Sequence, residues 1–325
     1  RNNKVSTIRR ARRDHFRTQV TVIIEEGQGL GKLMKWAKER AGQPQQLPQL
    51  PQLIVRDSNG AQVRVATTVR EKAKTLSDKF FPTPRHADLR DTVGYEYPDP
   101  VTTPDEISIQ EIHDALRWVA PDKAPGPDTI PNRVLKVARE WLGPRLRTVF
   151  NAALRNGYHP YEWKRSITLA LRKPKKSDYT DPKAYRPIAL LNTIGKLLER
   201  VIASRISQLA ETYGLLPDSQ MGARPGRSAE TAIQMITEQV HAIWGRSGPQ
   251  QVATLLSLDI SGAFDHVSHE RLLHNLRKRR IPETLVRWIA SFLSDRQTKI
   301  RLAEGESEWL RTDTGIPQGS PISPI

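Results

Sequence analysis

The sequence predicts an α/β chain of the α+β kind, in which helices outnumber strands. Three observations carry that expectation. From residue 108 onward apolar residues recur at helical spacing, as in Ile109, Ile112, Leu116 and Val119. Short β-rich runs stand apart from them, at 166–171 and 252–258. Between two stretches of apolar alternation lies Asp57-Ser58-Asn59-Gly60, whose Asn-Gly pair reads as a tight hairpin turn.

The elements follow in order. Residues 1–40 carry eleven basic and four acidic side chains, and predict a basic arm near 9–17, a β-rich stretch at 20–24 and a helix at 30–40. Gly27-Gln-Gly-Leu-Gly-Lys32 fails the phosphate-loop spacing, with Leu33 where a hydroxyl should bind the metal. The Gln/Pro-rich stretch 41–52 has no period that could bury a face, so it reads as a linker. A hairpin over 53–69 and a helix over 69–80 follow, and 85–114 reads as an acidic, proline-broken surface excursion. Thr103-Pro-Asp-Glu106 reads as a helix start. Further helices are expected at 132–138, 142–156, 194–213, 228–244, 268–280 and 282–293, with a hairpin over 297–311.

Composition narrows the function. The 325 residues hold 51 Lys and Arg against 35 Asp and Glu, a net charge of +16, which favours a polyanionic partner, nucleic acid foremost. Between Arg133 and Arg200, sixteen basic residues face five acidic ones, more than a helix surface needs for solvation. With no Cys, disulfides, thiolate zinc sites and cysteine nucleophiles are excluded. No apolar run approaches the roughly 18 residues of a membrane span. The first methionine is Met34 and no signal pattern leads the chain, so the expectation is a piece of a longer polypeptide.

The sharpest chemistry lies after residue 252. An apolar, uncharged run at 252–258 predicts a buried strand ending at Asp259, and Ser261-Gly262 turns the chain. A carboxylate on a rigid strand end suits Mg²⁺, which demands near-octahedral oxygen geometry. His266-Val-Ser-His269 lacks a third ligand at matching spacing and reads as the surface of a helix start.

Asp259-Ile-Ser-Gly-Ala-Phe264-Asp265, followed by Gly315-Ile-Pro-Gln-Gly-Ser-Pro321, resembles the first two palm motifs of reverse transcriptases. Upstream, in matching order, stand Lys123-Ala-Pro-Gly-Pro-Asp128, Tyr185-Arg-Pro-Ile-Ala-Leu190 with Lys196 and Glu199, and Gln220-Met-Gly-Ala-Arg-Pro-Gly-Arg-Ser228. Together they resemble the reverse transcriptase of a non-LTR (LINE-type) retrotransposon over about 105–325. Gly222-Ala223-Arg224 lacks the aromatic usually found between that Gly and Arg.

The resemblance implies a right-hand polymerase: helical fingers at 105–250 and the first half of an antiparallel-sheet palm at 251–325, incomplete there. Residues 1–104 would be a mostly irregular basic connector, with its Gln/Pro linker at 41–52. The implied activity is RNA-directed DNA synthesis, with an RNA template, a DNA primer or target, and dNTPs as partners, inside the cell and in the nucleus. Asp259 would bind two Mg²⁺ ions, helped by the Ile260 carbonyl, and Phe264 would exclude the 2′-hydroxyl of ribonucleotides. Lys173 and Arg186 would hold the triphosphate, although Lys175 or Lys176 could take the place of Lys173. Gln318 and Gly319 would underlie the nascent base pair, and Arg224 and Arg227 would lie beside the template. The family's Tyr-x-Asp-Asp hairpin does not occur in this sequence, so the expectation is that these 325 residues alone do not polymerise. The competing expectation is a non-catalytic basic RNA-binding module derived from such an enzyme.

Overall fold

The computed structural model describes residues 18, 47–57, 59–83, 87–245 and 252–325. The arm, strand and helix expected within 1–40, and the first half of the 41–52 linker, lie outside the described residues.

The first folded unit forms from local signals. Strands β1 (Leu53–Arg56) and β2 (Gln62–Ala66) pair antiparallel. At their turn the Asp57 carboxylate accepts the N–H groups of Asn59 and Ala61, both at 2.9 Å, while Gly60 takes a φ of +83°. Thr68 then starts helix α1 (Val69–Phe80) with a reciprocal capping box to Glu71. Backbone N–H groups of Thr68 and Thr67 hold the Glu71 carboxyl down at about 2.

This unit is not a free-standing connector. Leu50, Leu53, Leu76 and Phe80 share one cluster with Tyr185, Ile300 and Leu302 of the main sheet. Even the end of the expected linker is held, because Lys72 donates to the Leu50 carbonyl at 2.8 Å.

That main sheet is built from β3 (Arg165–Arg172), β4 (Tyr185–Leu191), β5 (Gln297–Leu302) and two short strands, β6 (Gly305–Glu306) and β7 (Leu310–Arg311). Its order is β4-β3-β5-β6, with β7 also paired to β5. β3 pairs antiparallel with β4 but parallel with β5, so the described sheet is mixed rather than wholly antiparallel. Sequence neighbours make the hairpin pairs; the parallel pair joins segments more than 120 residues apart, here 165–169 and 297–301.

The further helices are α2 (Ile109–Arg117), α3 (Asn132–Val137), α4 (Arg139–Arg155), α5 (Thr193–Thr212), α6 (Ala229–Trp244), α7 (His269–Lys278) and α8 (Glu283–Leu293). Ile112, Phe150, Leu198, Ile202, Trp288 and Phe292 belong to one core cluster, so no seam in the core falls at residue 250. Helix α2 starts later than expected. Ser108 caps it, with Glu111 closing the capping box, while 103–106 stays irregular. The segment before it is pinned instead by Arg205, which bonds Glu111 at 2.6 Å and the Pro104 carbonyl at 2.7 Å.

The largest departure from expectation is 252–260. It forms no strand, and Val252, Leu256 and Leu258 are 86%, 76% and 83% exposed. An apolar run becomes a buried strand only when a neighbour pairs its backbone and a layer covers its side chains. No segment among the described residues does either. Helix α6, capped by Ser228, likewise buries no residue. Downstream the local signals hold: Gly262 turns the chain at φ +67°, and Ser268 caps α7.

Two predictions follow from these environments. His159 is fully buried against Trp163, Trp288 and Phe292, with ring centroids 5.1 to 5.8 Å away and neither ring nitrogen partnered. Burial lowers its pKa from 6.5 to about 3. Above 6.5 the ring is neutral whether folded or unfolded; between 6.5 and about 3 only the unfolded ring takes a proton, so stability falls through that window. His159→Phe should flatten the pH dependence of unfolding free energy there by about 1.4 kcal/mol per pH unit, and an unchanged slope refutes the assignment. For 252–260, Leu256→Lys should reduce self-association in sedimentation velocity, since an unpaired apolar edge recruits other strands. Equal association by both proteins would show that the edge is not what aggregates.

Candidate functional site

The loop 315–320 is where the expected motifs meet. Ile316 donates its N–H to the Phe264 carbonyl at 2.8 Å, and Gly315 donates to Val267 O at 3.1 Å. On the other side, Ala189 on the free edge of β4 donates to Gln318 O at 2.7 Å. The loop therefore bridges the 261–266 turn and the strand that carries Arg186. Glycine makes this approach possible. A Cβ at Gly315 would lie 2.6 Å from Phe264 O, and one at Gly319 would lie 2.5 Å from Ala189 O; both residues also hold positive φ.

Asp265 stands at the centre. Its Oδ1 accepts from Gln318 Nε2 at 3.3 Å. Burial raises its pKa, while the positive charges of Lys79, His266 and Lys173 oppose that rise. The structure thus brings Lys173, Phe264, Gln318 and Gly319 to one neighbourhood around a carboxylate that sequence reasoning did not single out. Its only signal was its place directly after Phe264. The cleft beside it is walled by Phe81, Thr168, Pro187, Ala189, Thr298 and Thr314.

The basic residues divide into free and committed ones. Lys173 begins the loop after β3, its N–H bound to Ala184 O and its carbonyl accepting the Tyr179 hydroxyl, at 2.8 and 2.9 Å. Lys175 and Lys176 are exposed on that loop. Arg186 is exposed on β4, opposite Leu171, and makes no ion pair among the described residues. Arg224 is committed: its guanidinium grips both Glu211 oxygens at 2.8 Å and the Pro217 carbonyl at 2.7 Å. It pins the 217–224 loop to the last turn of α5. Arg227 is more open, 3.7 Å from the exposed Asp218 carboxylate.

Asp259 is exposed on the unpaired segment, and no hydrogen bond or ion pair fixes it among the described residues. Ile260 beside it is 76% exposed. Among the described residues no group of three or more His, Asp or Glu could hold a metal ion. One carboxylate and one carbonyl on an irregular, exposed segment do not make a two-ion site by themselves.

The 123–128 loop has a structural task instead. A Cβ at Gly126 would fall 2.4 Å from the Leu191 backbone. Asp128 accepts Thr193 N–H at 2.7 Å, and its own N–H reaches Asn192 Oδ1 at 3.0 Å, so the loop clamps the start of α5 to the end of β4.

Gly319→Ala should lower stability by about 1–3 kcal/mol through overpacking and backbone strain. In a denaturant titration the equivalent Gly94→Ala, where a Cβ meets nothing within 4 Å, is the control for strain alone. Equal losses at both positions would remove the close approach to Ala189.

A family model described as reverse transcriptase (RNA-dependent DNA polymerase) matches residues 173–325. The probable RNA-directed DNA polymerase from transposon X-element of Drosophila melanogaster is 34% identical over 177 residues, 54% of this chain and 19% of that protein. The probable RNA-directed DNA polymerase from transposon BS of the same species is 31% identical over 55% of this chain and 19% of its own length. That of the mobile element jockey, also from Drosophila melanogaster, is 31% identical over 55% and 19%. The matched region spans about a fifth of each relative. With the motifs assembled around one loop and these relatives on record, residues 173–325 are a reverse transcriptase domain of the non-LTR, LINE-type retrotransposon kind.

Proposed function

We propose that this chain supplies the nucleotide-positioning part of an RNA-directed DNA polymerase that extends a DNA primer on an RNA template. One observation carries the reading: the 315–320 loop is clamped between the Phe264 turn and the Arg186 strand, with Lys173 acting on the same carboxylate as Gln318.

In this reading Lys173 and Arg186 bind the triphosphate, a point charge and a planar fork suited to a polyanion, with Lys175 and Lys176 close behind. The backbone at Gln318 and Gly319 supports the nascent base pair, where the missing Cβ allows close approach. Phe264, half-buried at the turn, stands against the sugar and disfavours a 2′-hydroxyl. Arg227 contributes to the template surface; Arg224 shapes the loop that presents it. Asp259, with the Ile260 carbonyl, is assigned to divalent ions. Mg²⁺ is the hard cation that oxygen ligands suit, alongside carboxylates the described residues do not supply. Residues 105–250 act as fingers and 251–325 as part of the palm, over a shared core. Priming at a chromosomal target would place the reaction in the nucleus. Among the described residues no helix is long and apolar enough to cross a membrane.

The test is primer extension with an RNA template and dNTPs by a polypeptide of the relatives' length that carries this sequence. Asp259→Asn should abolish cDNA synthesis while RNA affinity stays within about twofold, because little of the basic surface is lost. Phe264→Val should raise ribonucleotide incorporation by about tenfold or more, a change of at least about 1.4 kcal/mol in discrimination. Wild-type synthesis by the Asp259→Asn protein would end the polymerase assignment, and unchanged sugar discrimination would remove Phe264 from the gate.

A further inference from the structure

We propose that Glu199, Ser320 and Arg296 form a buried positioning hub that sets the 315–320 loop, and with it Gln318, for the incoming nucleotide. The proposal rests on the reading of that loop given above. Glu199 on α5 is 0% exposed, and its carboxylate oxygen Oε2 accepts the hydroxyl of Ser320, itself 4% exposed. The same hydroxyl oxygen accepts Ile322 N–H at 3.3 Å, and Ser320 N–H donates to Pro317 O at 3.2 Å. The end of the loop is thus tied to a helix core rather than to solvent. Gln318 O and Ile316 N–H make the other two tethers, to β4 and to the Phe264 turn.

Arg296 makes no ion pair with Glu199 among the described residues; burial raises the Glu199 pKa, and the Arg296 charge opposes that rise. Arg296 is 4% exposed, donates from Nη1 to Phe292 O at 2.9 Å, and lies 4.6 Å over the Phe292 ring. Its carbonyl accepts Thr312 N–H at 3.0 Å, three residues before Gly315. The segment that bears Gln318 is therefore held at its far end by the buried Glu199 side chain and at its near end by the backbone of the buried Arg296.

Packing alone does not account for this choice of residues. Taking a carboxylate and a guanidinium out of water costs stability, and apolar side chains of similar volume commonly pack such a site as well or better. Here Glu199 Oε1 and Arg296 Nη2 have no hydrogen-bond partner, so the cluster is not arranged for maximal pairing. What it supplies is direction: a hydroxyl–carboxylate bond fixes Ser320, one residue beyond the glycine that touches Ala189. Burial lowers the pKa of Lys196, one turn before Glu199, and the charges of Glu199 and Asp128 oppose that fall.

Amide hydrogen exchange on the 325-residue chain tests the hub without requiring polymerase activity. In Ser320→Ala, exchange at Ile316, Gln318, Gly319 and Ala189 should rise about tenfold, the loss of one buried hydrogen bond, while the β1–β2 hairpin stays as in the wild type. Glu199→Gln keeps an acceptor for the Ser320 hydroxyl and should hold the loop within about threefold of wild type. Unchanged exchange at 316–319 in Ser320→Ala, or equal acceleration across the whole chain, overturns the proposal. In primer extension by the longer polypeptide, Ser320→Ala should raise KM for dNTP about fivefold or more with kcat within about twofold. A fall in kcat at unchanged KM overturns the role in nucleotide placement. If the wild type fails to extend a primer, the polymerase reading falls, and the exchange result still decides the hub.

Discussion

The parallel pairing of β3 with β5 is the constraint from which the site geometry follows. It puts residues 165–169 beside 297–301, and everything between them must close around that seam. A buried ladder of hydroxyls fixes the register: Ser166 Oγ reaches Thr298 Oγ1 at 3.0 Å, and Thr168 Oγ1 lies 2.8 Å from the same atom. A slip by one residue would turn these hydroxyls onto the other face and leave them unpaired, which burial makes expensive. With β5 on one side and β4 on the other, β3 has no free edge. The 315–320 loop meets the sheet at the outer edge of β4, where Ala189 N–H donates to Gln318 O.

The strong positive charge separates into two populations. Some cations hold the fold together: Arg205 on Glu111 and two loop carbonyls, Arg224 on Glu211, Arg271 on Asp91, and Arg296 in the core. Others carry no ion pair among the described residues, and Lys173, Lys175, Lys176 and Arg186 stand together on the β3–β4 hairpin beside the loop. Only the second population can release counterions when phosphate binds. Net charge alone therefore overstates the nucleic-acid surface, and its placement beside the 315–320 loop says more than its size.

Local physics made part of this legible in the sequence. The Asn59-Gly60 turn, the helix at Val69–Phe80 and the Ser268 cap each depend on residues within a few positions, and each stands where its signals put it. The start of α2 was misplaced because Thr103-Pro-Asp-Glu106 and Ser108-Ile-Gln-Glu111 offer competing caps, and the second alone lets Ile107 and Ile112 enter the core. The run at 252–258 has the composition of a buried strand, but burial is supplied by neighbours, which a chain's own pattern cannot show. Arg224 reads as a free cation because its partner Glu211 sits on the preceding helix, 13 residues away. Asp265 and the pair Glu199–Ser320, 121 residues apart, were silent for the same reason: their roles exist only once the sheet has closed. Sequence motifs marked the segments that meet at the 315–320 loop, and tertiary packing set which of their atoms touch.

The central claim is that Lys173, Arg186 and the 315–320 loop form one wall for a deoxynucleoside triphosphate. Photo-crosslinking with a base-modified, radiolabelled dNTP, followed by peptide mapping, tests it most directly. Adducts should concentrate in the peptides holding Lys173–Lys176, Arg186 and Gln318, and should be competed by unmodified dNTP. Adducts spread over the helices of the core, or confined to the 217–228 region, would contradict the account.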